Sequence, residues 1–322
     1  MKKFLSLVLA LTMMMSLVTI NAGAKEFTDD EELNYKEAVD VISEISVVDG
    51  YEDGSFKPQN TLTRGAAAKI ICNLILGPTT AAELHADTAP YKDVPTSNTF
   101  SGYIAYCAKE GIISGYADGT FRPAGTLTGY AFMKMLLGAL GYDATYEGYT
   151  GGNWSINVAK QAIGIGLNNS LVDEFNGVDQ VTREEAALYA FNTLKATMVD
   201  YDQKITTNVN GVDVTISQGN AKPVTWTEGI NEDGNIKDDD FVQFAEEFFP
   251  KLVRKDDNDK FMAPANTWVY DKSEIGTYER TDLIVETYTT KVTGKDAYDL
   301  LKSGVIKDND LEVYLDGVVP TG

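Results

Sequence analysis

The chain has 322 residues, enough for about two domains, and 43% apolar and 10% aromatic residues, a composition that builds packed cores rather than a disordered coil. Its formal net charge of −21 excludes nucleic acid as an expected partner, because phosphate binding needs clustered cations. Two cysteines and one histidine cannot make a standard structural zinc site.

Residues 1–24 read as a secretory signal peptide. Lys2 and Lys3 form a charged start, Phe4 to Ile20 an apolar stretch, and Ala22-Gly23-Ala24 a small-residue cleavage site. No later stretch approaches spanning length, so the mature chain is expected outside the cell with no integral membrane segment.

The next stretch opens with Phe27-Thr28-Asp29. A helix is predicted over Tyr35–Ile45, with Ala38, Val41, Ile42 and Ile45 on one face. The loop Gly50-Tyr51-Glu52-Asp53-Gly54-Ser55-Phe56-Lys57-Pro58 follows. Thr63 is placed to cap a second helix running to Leu76, which Gly77-Pro78 stops. The pattern then recurs: Tyr91-Lys92-Asp93, a helix over Tyr103–Glu110, and the loop Gly115-Tyr116-Ala117-Asp118-Gly119-Thr120-Phe121-Arg122-Pro123. Thr128 caps a helix carrying Phe132, Met135, Leu136 and Leu140. A fainter copy runs from a helix at Trp154–Ile165 through Leu167–Asp179. It ends on a helix opened by a Thr182/Glu185 capping box. Internal repeats of this kind bury their cores against one another, here as three helical stripes with the loops outside. Asp53 and Asp118 read as turn formers. Cys72 and Cys107 lie in apolar helical patterns; they either pair across neighbouring units or remain buried thiols.

These motifs resemble S-layer homology domains, triplet modules that hold bacterial surface proteins on the cell wall. The loop is matched twice in full; Thr63-Arg64-Gly65-Ala66 and Thr182-Arg183-Glu184-Glu185 keep the Thr-Arg of the family's helix-start motif, whereas Thr128-Gly129-Tyr130-Ala131 has lost the Arg. The resemblance implies three repeats, over 25–80, 88–143 and a divergent 149–199, folded as a pseudo-threefold three-helix core. It implies binding of anionic secondary cell-wall polysaccharide, which in the family often carries a ketal-linked pyruvate, in grooves between units, with Arg64 and Arg183 as the anion contacts. Lys57 and Arg122 add charge at equivalent loop positions, and Tyr51, Tyr116 and Trp154 offer faces to sugar rings. On this reading Gly115–Pro123, in the unit that lacks the arginine, belongs to the weakest site. Other surface-layer proteins are candidate partners.

Residues 200–322 read as a small, strand-rich α+β domain. Strands are expected at Val209–Ile216, Trp268–Tyr270, Ile284–Val292 and Leu311–Leu315, with a hairpin signal at Asn210-Gly211. Helices are expected at Asp240–Leu252, with Glu246 and Glu247 on its solvated face, and from a Thr293 cap to Gly304. Asp256–Asp259 reads as a solvated loop. No cofactor is expected. The acidic run Asn231–Asp240 is a poor calcium loop, because aligning Gly234 with the invariant glycine puts Gly229 at the first ligand position. His85 is the sole histidine and sits between repeats, so a Ser-His-Asp triad is not expected. The chain therefore reads as a non-catalytic, wall-anchored surface or S-layer component. A wall-tethered polysaccharide-active enzyme and an adhesin or spacer are the alternatives, separated by what residues 201–322 hold.

Overall fold

The computed structural model describes residues 23–201, 205–209, 212–216, 220–226, 235–260 and 263–283, with 293, 295 and 299. Among these residues eight α-helices occur and the strands form three small antiparallel sheets. Residues 1–22 of the expected signal peptide, the strands expected at 284–292 and 311–315, and most of the helix expected from Thr293 lie outside them.

Helix α1 (Lys36–Glu44) buries Ala38, Val41 and Ile42. Helix α2 (Arg64–Leu76) starts at Thr63, whose hydroxyl accepts a bond from the Ala66 amide, and ends at Gly77, φ 74°. Gly77-Pro78 does more than stop it: Pro78 takes the first position of a short helix α3 (Pro78–Ala82), where its missing N–H costs nothing. Helices α4 (Ser101–Lys109), α5 (Gly129–Ala139, capped by Thr128) and α6 (Trp154–Gly164) follow. The Thr182/Glu185 capping box opens α7 (Arg183–Lys195).

The residues just before the three threonine caps are tied into a ring. Leu62 N donates to Val181 O at 2.9 Å, Val181 N to Leu127 O at 3.1 Å, and Leu127 N to Leu62 O at 3.3 Å. All three side chains are buried, so these backbone groups have no water to turn to and must satisfy each other. Helix α2 packs on α4 and α5, α5 on α6 and α7, and α1 on α7. Cys72 and Cys107 are buried free thiols on α2 and α4.

Strand β1 (Val199–Asp200) pairs with β4 (Lys222–Pro223), and β2 (Ile205–Val209) with β3 (Val212–Ile216). The single strand expected at Val209–Ile216 is therefore split between two arms of a hairpin, Val209 ending β2 and Val212–Ile216 forming β3; Asn210-Gly211, between the arms, lies outside the described residues. Helix α8 spans only Phe244–Phe248, not Asp240–Leu252. Phe249 leaves the helix at ψ 58° because Pro250 disfavours helical geometry in the residue before it. Glu246 is not on a solvated face either: its buried carboxylate accepts from the amides of Ile236 (3.0 Å) and Gln243 (2.9 Å).

A three-stranded meander completes the described part: β5 (Leu252–Asn258), β6 (Pro264–Tyr270) and β7 (Ser273–Glu279). Asp256 to Asn258 lie in β5, not in a loop. The β6–β7 turn uses Asp271 (φ 47°) and Lys272 (φ 72°), both left-handed. The meander packs on the helices. Trp268 is fully buried, its ring 5.2 Å from that of Phe191 on α7, and its indole N–H donates to Glu37 Oε1 on α1 at 2.7 Å. Tyr278 donates to Asp40 Oδ2 at 2.6 Å. No helix among the described residues is long and apolar enough to cross a membrane.

Candidate functional site

Six of the seven expected site residues fall into two clusters of one design, each built from a helix start and a loop far away in the chain. In the first, Arg64 at the head of α2 lies against the Gly115–Pro123 loop. Its Nε donates to Phe121 O at 2.8 Å and Nη2 to Ser114 O at 3.2 Å. The guanidinium carbon stands 4.3 Å from the Phe121 ring centre and 5.0 Å from that of Tyr116. Arg122 also reaches Tyr116, at 4.1 Å. In the second cluster, Arg183 at the head of α7 lies on the Gly50–Pro58 loop. Nε donates to Phe56 O and Nη2 to Asp49 O, both at 2.9 Å. Phe56 is 4.8 Å and Tyr51 4.7 Å from the guanidinium, and Lys57 Nζ is 4.2 Å from Tyr51. Rings beside a guanidinium add cation–π attraction and strip it of water.

Each loop is held by a carboxylate that the sequence reading did not single out. Asp29 accepts from the amides of Phe56 (2.7 Å) and Lys57 (2.8 Å); Asp93 accepts from those of Phe121 and Arg122, both at 2.7 Å. These bonds fix Lys57 (φ 55°) and Arg122 (φ 61°) in the left-handed region, which side chains rarely adopt. Desolvation raises the Asp93 pKa, but the two amide bonds outweigh it and leave the carboxyl below its ordinary value. The opening Phe-x-Asp and Tyr-x-Asp motifs, standing ahead of each loop at nearly equal distance, were the available signal. Asp53 and Asp118 form the turns, accepting from Ser55 and Thr120.

The charges in each cluster are not alike. Lys57 pairs with Asp53 at 2.8 Å and Arg122 with Asp118 at 3.0 Å. Thr120 and Arg122 pull Asp118 down to about 2, and Lys57 and Ser55 hold Asp53 well below the usual carboxylate range. Among the described residues no carboxylate lies within 4.0 Å of Arg64 or Arg183. Burial lowers both their pKa values, yet an arginine remains cationic at neutral pH. Each spends two of its five N–H donors on carbonyls and keeps the others.

A third junction has the same backbone and different chemistry. Gly129 and Tyr130 donate to Asp179 O (3.0 Å) and Gly177 O (2.8 Å), as Arg64 and Gly65 donate to Gly125 O (2.8 Å) and Pro123 O (2.9 Å). Gly129 supplies no charge, and the Tyr130 ring meets Phe175 edge-on at 5.8 Å. The premise that Gly115–Pro123 lacks an arginine is thus corrected. Each arginine serves the loop of a neighbouring unit, so Gly115–Pro123 has Arg64, and it is the divergent 167–179 stretch that faces Gly129. Trp154 joins neither cluster; it is half-buried, with Lys134 Nζ at 5.8 Å. No group of three or more His, Cys, Asp or Glu placed to hold a metal occurs among the described residues. Asp239 of the candidate calcium run pairs with Lys237 at 2.7 Å; Asn231 to Gly234 lie outside those residues.

Two clusters of one design thus stand at repeated motifs around a ring of helices, the arrangement of a modular repeat domain. The S-layer homology domain family matches residues 26–68 and 90–129. The chain is 25% identical over 177 residues to a surface layer protein of Brevibacillus choshinensis, covering 54% of this chain and 16% of that one. It is 25% identical over 248 residues to the surface-layer 125 kDa protein of Lysinibacillus sphaericus, covering 71% and 20%. It is 34% identical over 86 residues to a cellulosome-anchoring protein of Acetivibrio thermocellus, covering 27% and 19%. The chain is an S-layer homology domain-containing protein of the cell surface. It matches a fifth or less of the length of each of these relatives.

Proposed function

We propose that residues 25–199 anchor this protein non-covalently to the cell wall by binding an anionic wall polysaccharide at two junctions. In this reading 25–80, 88–143 and 149–199 are three helix–loop–helix repeats closed into a pseudo-threefold ring, and 200–322 form a non-catalytic α+β part whose meander packs on them. The observation that carries it is the state of Arg64 and Arg183. Both guanidinium groups are oriented by carbonyls, flanked by two rings, half-buried, and without a carboxylate partner. A planar fork of that kind matches a carboxylate bidentately, which fits a pyruvyl ketal on a sugar whose face rests on Tyr51 or Tyr116. Local cations are needed because the protein as a whole repels polyanions. The third junction, with Gly129, is an apolar closure.

The test is co-sedimentation with purified wall sacculi before and after removal of the secondary polysaccharide. Binding should vanish with the polysaccharide; pelleting that persists would sink the anchoring reading.

A further inference from the structure

Cys72 and Cys107 are the only cysteines of the chain, and both have no exposed surface. Their Sγ atoms stand 3.5 Å apart across the α2–α4 interface, 35 residues apart in sequence. Each thiol also points at the other's helix: Cys72 Sγ lies 3.6 Å from Tyr103 O, and Cys107 Sγ 3.7 Å from Ala68 O. The contact with the Cys107 sulfur, and after it burial, push the Cys72 thiol far above its ordinary pKa, so in the folded chain it is a poor nucleophile. The pair sits in a protein of the cell surface, where disulfides persist.

We propose that Cys72 and Cys107 are joined as a disulfide when the chain folds in the presence of a disulfide oxidant. The two sulfurs need to close by about 1.5 Å to reach bonding distance. In the step, one thiolate attacks a small-molecule disulfide such as oxidised glutathione and releases one glutathione thiolate. The second cysteine thiolate then attacks the protein-side sulfur, forms the Cys72–Cys107 bond and releases the second glutathione. Two electrons and the two thiol protons end on two glutathione molecules. With a single pair of cysteines there is one possible intramolecular connectivity. Because the folded site is sealed, the exchange belongs to folding rather than to the finished fold. The bond would tie α2, which begins at Arg64, to α4, which leads into the loop on which Arg64 rests. It does not depend on what those clusters bind.

The full chain is unfolded with reductant, refolded in mixed reduced and oxidised glutathione, acid-quenched, and alkylated under denaturing conditions without reductant. The expected product is a monomer with no alkyl group, two hydrogens lighter than the reduced chain, whose Tm falls by roughly 5–15 °C when reductant is added. Two alkyl groups, glutathione adducts or disulfide-linked dimers would overturn the proposal, and so would a Tm that reduction leaves unchanged or raises. Cys72→Ser, refolded alongside, should carry one alkyl group and show no response of Tm to reductant.

Discussion

Trp268 and Glu37 stand 231 residues apart, and the indole N–H of one donates to the carboxylate of the other at 2.7 Å. This bond pins the three-stranded meander to the first helix of the repeat array. Trp268→Phe keeps most of the buried ring and removes the donor. It should cost about 1–3 kcal/mol, since among the described residues Glu37 then keeps only a longer bond from Asn266 at 3.4 Å. Urea unfolding measures it; an unchanged midpoint would show that the contact adds nothing.

Arg64→Ala and Arg183→Ala should each weaken polysaccharide binding by about 1.5–3 kcal/mol, the range for hydrogen bonds to charged groups. Arg→Lys at either position should recover little, because an ammonium cannot span two carbonyls and a ligand carboxylate together. Calorimetry on the single and double variants tests this. Full affinity in the double variant would remove both residues from the site.

Gly129→Arg restores the family's arginine at the third junction and should fail to restore binding. A Cβ at Gly129 comes within 3.2 Å of Gly177 Cα and 3.3 Å of the Phe175 ring, so overpacking should cost about 1–3 kcal/mol. Tighter binding with unchanged Tm is the opposing outcome.

Asp93→Ala should disorder the grip on Phe121 and Arg122 and so weaken the Arg64 cluster while leaving Arg183 untouched. The stability lost should be about 1 kcal/mol, discounted because the carboxylate is partly solvated. The pH sign follows from its depressed pKa: its contribution is present above the ordinary carboxyl pKa and fades as pH falls through the folded value. The variant should therefore lose less stability on acidification than the parent.

Burial drives Lys195 on α7 down to about 8; Glu37 and Asp282 oppose the shift, while Arg254 and Arg280 add to it. Its ammonium stands 4.0 Å from the Phe191 ring. In the folded chain the charged form is disfavoured, so between pH 8 and the unfolded value of 10.5 the unfolded chain binds the extra proton and stability rises with pH. Lys195→Met should stabilise by about 1–3 kcal/mol at pH 7. That gap should narrow by pH 9.5 in paired thermal melts; a constant gap would show that Lys195 titrates normally.

How much was legible in the sequence depends on distance along the chain. Thr63, Thr128 and Thr182 announced their helices because a cap and its amide lie three residues apart. The six clustered residues were recognisable as types at repeated positions. Their pairing was not, since Arg64 meets Ser114 and Phe121, and Arg183 meets Asp49, through a ring that no local pattern encodes. Asp29 and Asp93 looked like part of an opening motif, and their role appears only when the loop folds back on them. In the second half, β5 carries Arg-Lys-Asp-Asp-Asn and so hides as a polar loop, while Asp271-Lys272 turns without the glycine that usually marks such a hairpin.

The ring through Leu62, Val181 and Leu127 has a mechanical side. A linear array has a terminal unit that tension can peel away first. Here each of the three segments holds the next and is held by the one before, and all three bonds meet in the buried centre. Tension that draws on any one of the three segments therefore loads its bonds to both of the others, and the strain is shared around the ring.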